Sequence, residues 1–137
     1  MEWTEVSLEQ LDDFVASWAP RLQGVVCIEG PMGSGKTTLV ASLGRFFGWK
    51  DRVQSPTFGL IHEYGTTAGP CVYHMDMYRI ASEAEALDIG LLEYFDSGAL
   101  CLVEWSEKIP TFIPSHAQRI LLKRTTRENV RLMGLSI

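Results

Sequence analysis

The sequence lacks the long apolar runs of a membrane-spanning chain. Its uninterrupted apolar stretches reach only four or five residues, whereas a helix that crosses a bilayer needs roughly 20. Glu2, Glu5 and Glu9 stand near the start of the sequence, where a secretory signal would carry basic residues. We therefore predict a soluble protein that has no membrane segment and is not exported.

Cysteine is scarce, and its spacing fits neither a disulfide framework nor a zinc site. The sequence holds three cysteines, Cys27, Cys71 and Cys101, each inside an apolar stretch and none in a C-x-x-C pair. An odd number without such a pair argues against both kinds of site. The cysteines are instead typical of buried free thiols in a reducing compartment, so we predict a cytoplasmic protein.

Basic residues are absent from a long central stretch. The 12 basic and 17 acidic residues give a net charge of −5, so the molecule lacks the positive charge of a strong nucleic-acid binder. No basic residue lies between Arg79 and Lys108, whereas the last part of the sequence is rich in them. The two blocks indicate either solvated faces or docking surfaces for partner proteins.

Length and composition are those of one folded domain. The chain has 137 residues, of which 46% are hydrophobic and 21% charged. These values are ordinary for a globular domain with a core of its own. We see no internal repeat and no low-complexity linker, so residues 1–137 are predicted to form a single domain.

Hydrophobic periodicity predicts alternating helices and strands. Ser7 and Gln10 form a capping-box pattern before an amphipathic helix that ends at Pro20, and a second helix ends near Gly48. A turn at 65–70 predicts a hairpin. The predicted strands cover 24–29, 58–64, 71–76, 99–104, 119–123 and 130–133, and short helices cover 82–87 and 91–95.

A glycine-rich loop lies between the first predicted strand and the second helix. Residues 30–37 read GPMGSGKT and satisfy the pattern G-x-x-x-x-G-K-[ST]. Gly33 and Gly35 permit positive φ angles, so successive N–H groups can converge on phosphate oxygens at a helix N-terminus. This context predicts an α/β fold: a P-loop NTPase-like three-layer domain with a mostly parallel central sheet plus an antiparallel hairpin.

The residues after the second glycine of the loop carry the predicted phosphate and metal chemistry. Lys36 is a mobile positive charge that can reach the β and γ phosphates of ATP. The Thr37 hydroxyl is placed to coordinate Mg²⁺, and Thr38 adds a hydroxyl and an N–H near the α phosphate. The motif therefore predicts ATP and Mg²⁺ as cofactors.

Two carboxylates end apolar strands and are candidates for the metal. Glu104 ends the segment ALCLVE and Asp76 ends CVYHMD. Ligands of open α/β sheets lie beyond the carboxyl ends of the strands. We expect Glu104 to hold Mg²⁺ and Asp76 to orient water or belong to the metal's surroundings, the alternative being a carboxylate that caps the next helix.

Several further residues have open interpretations. Ser55 and Thr57 flank a proline and form either a switch that senses the γ phosphate or a plain turn. Trp105 is either core packing or a lid beside the site, and Arg127 is either a cover over the nucleotide or a surface residue. No role is assigned to the three histidines, His62, His74 and His116, which share no ligand spacing.

The ordered segments GPMGSGKTT, SPTF, YHMDMYR and LVEW resemble the TsaE (YjeE) family, the ATPase component of the bacterial machinery that forms threonylcarbamoyladenosine (t6A) in tRNA. The resemblance covers most of the chain. It implies a compact P-loop domain with weak intrinsic ATPase activity that acts in a complex with two partner proteins. One of those partners transfers the threonylcarbamoyl group to tRNA, so direct strong binding of RNA by this chain is not expected.

The resemblance also implies roles for individual residues. The phosphate-binding segment of the family corresponds to residues 33–38, which include Ser34, and its Mg²⁺ ligands correspond to Thr37 and Glu104. Asp76 and Trp105 match motif positions needed for activity. Arg127 lies in an R-E pair similar to one whose arginine lies near the nucleotide.

Three other classes of P-loop protein are alternatives to this family. A small-molecule kinase shares the loop, but its acceptor-binding region and lid would have little room in 137 residues. A GTP-driven switch is disfavoured because the sequence holds no N-K-x-D motif. A regulatory nucleotide-binding module without turnover remains an alternative to slow ATP hydrolysis.

Overall fold

A computed structural model of the protein describes residues 1–52, 59–67, 69 and 71–137. The strands in this part of the chain are β1 (Glu2–Ser7), β2 (Val25–Glu29), β3 (Trp49–Arg52), β4 (Ile61–Thr66), β5 (Val72–Asp76), β6 (Leu100–Glu104), β7 (Gln118–Arg124) and β8 (Val130–Ser136). The α-helices are α1 (Leu11–Trp18), α2 (Lys36–Phe47), α3 (Glu83–Asp88) and α4 (Leu91–Asp96).

These strands form one sheet in the order β1-β8-β7-β2-β6-β5-β4-β3. The four central strands β7, β2, β6 and β5 are parallel, while β8 and β1 on one side and β4 and β3 on the other are antiparallel. The predicted α/β class with a mostly parallel centre is therefore confirmed. The predicted hairpin is also confirmed, as β4 paired with β5.

Helices cover both faces of the sheet, which gives the three predicted layers. On one face, α1 and α2 bury Val15, Leu39 and Leu43 against alternate residues of the central strands, such as Leu102. On the other face, α3 and α4 pack against the intervening positions, such as Val103. Strand β6 lies between β2 and β5 and is covered on both sides, which explains its continuous apolar run.

The helix boundaries agree closely with the sequence signals. The capping box of Ser7 and Gln10 is present, but it opens a short 3-10 turn, and the α-helix itself begins at Leu11. Helix α2 ends at Gly48, whose φ of 65° is the left-handed conformation that favours glycine. In the described residues, no helix is long and apolar enough to span a membrane.

Neither edge strand, β1 or β3, was predicted from the sequence. Among the described strands, β1 pairs only with β8 and buries only Val6, and the four-residue strand β3 pairs only with β4. An edge strand has one partner and few buried side chains, so it lacks the apolar pattern of a central strand. Charged residues such as Glu2 and Glu5 on β1 also discourage pairing with other chains.

The cysteines are free thiols, as predicted, although not all are buried. Cys27 and Cys101 are fully buried and Cys71 is only half-buried. Burial raises the pKa of the Cys27 thiol and raises the pKa of the Cys101 thiol to about 12. These two thiols are therefore packing groups rather than nucleophiles at neutral pH.

Candidate phosphate and metal site

The glycine-rich loop connects the end of β2 directly to the start of α2. Gly33 and Gly35 have φ angles of 75° and 102°, in the left-handed region that the motif predicts. A Cβ placed on Gly30 would lie 2.5 Å from the Ser34 Oγ, so only glycine fits at this point. The Ser34 N–H donates to the Pro31 carbonyl over 3.1 Å and closes the turn.

The first turn of α2 presents donors beside this loop. The N–H groups of a first helical turn have no acceptor within the helix, and the helix dipole adds a partial positive charge there. Thr37 and Thr38 are exposed at this turn, whereas Lys36 is 8% exposed. The arrangement, with accessible hydroxyls next to backbone donors, would suit an anion.

The Lys36 ammonium is held in place by the loop and by an aromatic ring. Its Nζ donates to the Gly30 carbonyl over 2.5 Å and lies 4.0 Å from the centroid of the Trp105 ring. Trp105 has the left-handed φ of 58°, and its ring packs 5.0 Å from that of Tyr78. The structure thus brings Trp105 to the loop beside the lysine.

Glu104 and Asp76 end neighbouring parallel strands and are paired in register. Both side chains lie on the face covered by α2, because Leu102, two residues before Glu104, packs there with Leu39 of α2. Glu104 is 7% exposed, and its Oε2 lies 2.6 Å from the Nε2 of His74. The Asp76 carboxylate accepts a hydrogen bond of 3.0 Å from the Tyr78 N–H.

The donor set in this region suits a hard cation. Hydroxyl and carboxylate oxygens are the ligands of Mg²⁺, which usually takes one or two from protein and the rest from phosphate and water. Among the described residues, no group of three or more His, Cys, Asp or Glu side chains is arranged to hold a metal alone. Thr37 and Glu104 therefore fit an ion that is bound together with a nucleotide rather than a resident structural metal.

Arg127 and Arg131, near the end of the sequence, make different contacts, which the sequence did not indicate. Arg127 pairs with Glu5 over 3.0 Å, and both side chains are more than 60% exposed. The Nε of Arg131 instead donates to the Ser34 carbonyl over 3.0 Å, and its Nη1 donates to the Glu128 carbonyl over 2.6 Å. Arg131 contacts the glycine-rich loop in this structure, whereas the nucleotide contact of Arg127 stays a prediction.

Arg131 orients a loop amide as well as holding a carbonyl. In a trans peptide the C=O and the following N–H point in opposite directions. A guanidinium bound to the Ser34 carbonyl therefore directs the Gly35 N–H away from Arg131. No spacing or motif distinguished Arg131 from its basic neighbours, and the contact spans 97 positions of the sequence.

The predicted switch residues cannot be placed. Ser55 and Thr57 lie outside the described residues, so the choice between a switch and a proline turn stays a prediction.

The sequence did not indicate a role for His74, because its contact with Glu104 joins residues of neighbouring strands that lie 30 positions apart.

A cavity of about 200 Å³ adjoins the first turn of α2. It lies between that turn, the 3-10 turn after β1 and the connection from β7 to β8. Its walls are mostly apolar, with a few polar groups at the edge. The lining includes Leu8, Leu11, Thr38, Leu39, Glu128 and Asn129. A flat apolar group attached to a phosphate in the loop would have room here.

Comparison with known proteins identifies the family of this chain. The sequence model of the family described as "Threonylcarbamoyl adenosine biosynthesis protein TsaE" matches residues 4–132. The chain is 40% identical to the tRNA threonylcarbamoyladenosine biosynthesis protein TsaE of Haemophilus influenzae over 66% of this chain and 56% of that protein. It is 42% identical to the TsaE protein of Bacillus subtilis over 73% of this chain and 61% of that protein.

Two other matches extend further along the chain. The TsaE protein of Rickettsia bellii is 35% identical over 85% of this chain and 82% of its own length. The crystal structure of Bacillus subtilis YdiB has a TM-score of 0.75 and 27% identity and covers 98% of this chain and 84% of its own. The matches to the Haemophilus and Bacillus sequences span less than two thirds of those relatives. By the family match and these relatives, the chain belongs to the TsaE family.

Proposed function

We propose that the protein binds ATP with Mg²⁺, hydrolyses it slowly, and acts with partner proteins in forming threonylcarbamoyladenosine in tRNA. One observation carries the nucleotide part of this proposal. Gly33 and Gly35 have left-handed φ angles in the loop at the N-terminus of α2, and Lys36 lies beside them. Membership of the TsaE family supports the pathway and the presence of protein partners.

In this proposal the residues of the loop bind the triphosphate. Lys36 would exchange its contact with the Gly30 carbonyl for the β and γ phosphates, and backbone N–H groups of residues 33 and 35–38 would donate to the remaining oxygens. Thr37 and Glu104 would hold Mg²⁺, which neutralises charge on the phosphates when bound. Asp76, at the neighbouring strand end, orients the water that attacks.

We place the adenine base in the cavity next to Thr38. Leu8, Leu11 and Leu39 offer apolar walls against which a purine can pack, and Glu128 and Asn129 supply polar groups at the edge. Thr38, which we assign to the α phosphate, lines this cavity, so a base attached to that phosphate would be within reach of it. Arg127, on the same β7–β8 connection, would have to leave Glu5 to approach the ligand.

The partners supply what this chain is poorly suited to do. A net charge of −5 opposes tight binding to the tRNA phosphates, so we assign RNA binding and threonylcarbamoyl transfer to the two partner proteins that the family resemblance implies. Because one sheet joins all the described strands, we also propose that residues 1–137 act as a single domain.

Calorimetry with Mg·ATP on Lys36→Ala tests the nucleotide site. Loss of hydrogen bonds between a charged donor and phosphate, worth about 1.5–3 kcal/mol, predicts an affinity that is weaker by roughly 10-fold to 100-fold. Lys50→Ala is the matched control, since Lys50 is exposed beyond the other end of α2. Unchanged ATP affinity in Lys36→Ala would contradict the proposed site.

Phosphate release measured with and without the two partners tests turnover. Slow release that the partners accelerate is the expected result. Binding without release under either condition would favour a regulatory module, and transfer of labelled phosphate to a metabolite would favour a kinase.

A further inference from the structure

His74 and Glu104 form a close contact between the neighbouring strands β5 and β6. The Nε2 of His74 lies 2.6 Å from the Oε2 of Glu104, and the two side chains are only 16% and 9% exposed. An ionised carboxylate can only accept a hydrogen bond, so a histidine beside it donates from Nε2. The contact therefore sets both the position of the carboxylate and the tautomer of the ring.

Only one oxygen of Glu104 is used in this way. No hydrogen bond from the described part of the chain reaches its Oε1. The carboxylate is thus held through Oε2, while Oε1 accepts no hydrogen bond from these residues. A carboxylate with one oxygen fixed and the other open is suited to bind a cation through a single oxygen.

The ring of His74 is itself braced by the sheet. His74 and His62 stand opposite each other on β5 and β4, and their ring centroids are 5.9 Å apart. Tyr64, two residues along the same strand, stacks on His62 with ring centroids 6.2 Å apart and ring planes 9° apart. The packing of His62 and Tyr64 on this face limits the movement of the His74 ring. Because His74 contacts Glu104, it limits the movement of that carboxylate as well.

We propose that His74 is a positioning residue that holds Glu104 so that its Oε1 faces the metal bound with the nucleotide. The proposal rests on the proposed function of Glu104 as a ligand of Mg²⁺. Hydrogen-bond partners behind metal ligands typically raise metal affinity by about 10-fold to 100-fold. An ordinary buried histidine would affect the stability of the fold but not the requirement for Mg²⁺ in particular.

The test compares His74→Gln with His74→Met. The two side chains have similar length, but only glutamine carries an N–H donor where the Nε2 of histidine stood. The measurement is ATP affinity by calorimetry across a Mg²⁺ titration and again in EDTA. We expect the half-saturating Mg²⁺ concentration to rise about tenfold in His74→Met and to stay near the wild-type value in His74→Gln, while affinity in EDTA is unchanged in both.

A double-mutant cycle with Glu104→Gln shows whether His74 acts through that carboxylate. In the Glu104→Gln background, His74→Met should produce no further rise in the Mg²⁺ requirement. If His74→Met fails to fold, His74→Phe, which keeps a ring against His62, takes its place. Thermal unfolding of each variant, measured without nucleotide, separates a loss of fold from a loss of metal affinity.

The outcomes distinguish this inference from the proposed function. Wild-type protein that binds ATP equally well with Mg²⁺ and with EDTA would overturn the role of Glu104 itself. A wild type that depends on Mg²⁺, combined with folded His74→Met and His74→Phe variants of unchanged Mg²⁺ requirement, would overturn the positioning role alone. An additive effect in the Glu104→Gln background would also overturn it.

Discussion

The guanidinium of Arg131 connects strand β8 to the glycine-rich loop. It donates to the Ser34 carbonyl, to the Glu128 carbonyl and, at 3.5 Å, toward the Gly33 carbonyl. The planar guanidinium of an arginine presents five N–H donors over a wider span than the three donors of the compact lysine ammonium, so it reaches separated carbonyls more readily. The loop therefore owes part of its shape to a residue that is remote in the sequence.

We predict that Arg131→Lys weakens ATP binding while the protein stays folded. Loss of about two hydrogen bonds, each worth roughly 1 kcal/mol, corresponds to an affinity that is lower by about tenfold or more. Calorimetry with Mg·ATP provides the measurement, and Arg21→Lys, an exposed residue before β2, provides the control. Equal affinities for the wild type and Arg131→Lys would show that the loop keeps its shape without the guanidinium.

At the scale of single residues, local motifs indicated only part of the proposed site. Lys36, Thr37 and Glu104 are recognisable because each stands in a fixed pattern or at the end of an apolar strand. Arg131 and His74 are not, since their partners lie 97 and 30 positions away and are brought close by the register of the strands. Register depends on packing across the whole sheet, which a local pattern does not encode.

At the scale of elements, α1 is attached to α2 by polar contacts as well as by core packing. The Asp12 carboxylate accepts hydrogen bonds of 2.6 Å from the Ser42 hydroxyl and 2.8 Å from an Arg45 Nη2. The hydrogen bond from Arg45, followed by the one from Ser42, holds the pKa of Asp12 below its ordinary value of 3.8. The charge on Asp12 is therefore linked to the stability of this helix pair.

We predict that Asp12→Asn lowers the melting temperature at neutral pH, by an amount that disappears in acid. A carboxyl whose pKa is lower in the folded state contributes stability above its unfolded pKa, near 3.8, and loses it as the pH falls through the lower folded value. Thermal unfolding from pH 7 down to pH 2 should show the two curves converge below about pH 4. The Asp12 and Arg45 side chains are both more than half exposed, so the loss of melting temperature at pH 7 is small.

Asp13→Asn is the control for this pair. Asp13 is exposed in the same first turn of α1 and has the same favourable position relative to the helix dipole, but it accepts no hydrogen bond from described residues. If Asp13→Asn lowered the melting temperature at neutral pH as much as Asp12→Asn does, the helix dipole, and not Arg45 and Ser42, would be responsible for the loss.

The sequence predicted the elements that face the core and missed those at the edges. The strand, loop and helix around the phosphate site, the hairpin of β4 and β5, and the central strand β6 all carry strong apolar patterns or turn residues. Strands β1 and β3 do not, because each has a neighbour on one side only. The pairing of each edge strand depends on its one neighbouring strand. The residues of the edge strand itself therefore carry little of the apolar pattern that would predict it.

At the scale of the whole molecule, stability depends on the centre of the sheet. Leu102 is fully buried on β6, where it is paired in register with Val26 of β2 and His74 of β5. Large apolar residues at such positions fill space that neighbouring groups cannot close when the side chain is shortened.

We predict that Leu102→Ala lowers the free energy of unfolding by about 2–5 kcal/mol, the usual range for a buried leucine. Urea denaturation followed by circular dichroism measures this change. Leu92→Ala, at a position that is 41% exposed on α4, should stay within about 0.5 kcal/mol of the wild type. Losses of similar size in both variants would argue against a core centred on β6.

The strand that carries the phosphate loop has both of its neighbours late in the sequence. Val26 on β2 is paired with Leu102 on β6 and with Gln118 on β7. A chain emerging from the ribosome therefore exposes the complete loop motif long before the strands that support it have been made, and such distant pairings close slowly. The cavity beside the loop also includes Met133 of β8, so the proposed nucleotide site can assemble, and nucleotide can stabilise the fold through it, only after most of the chain has been made.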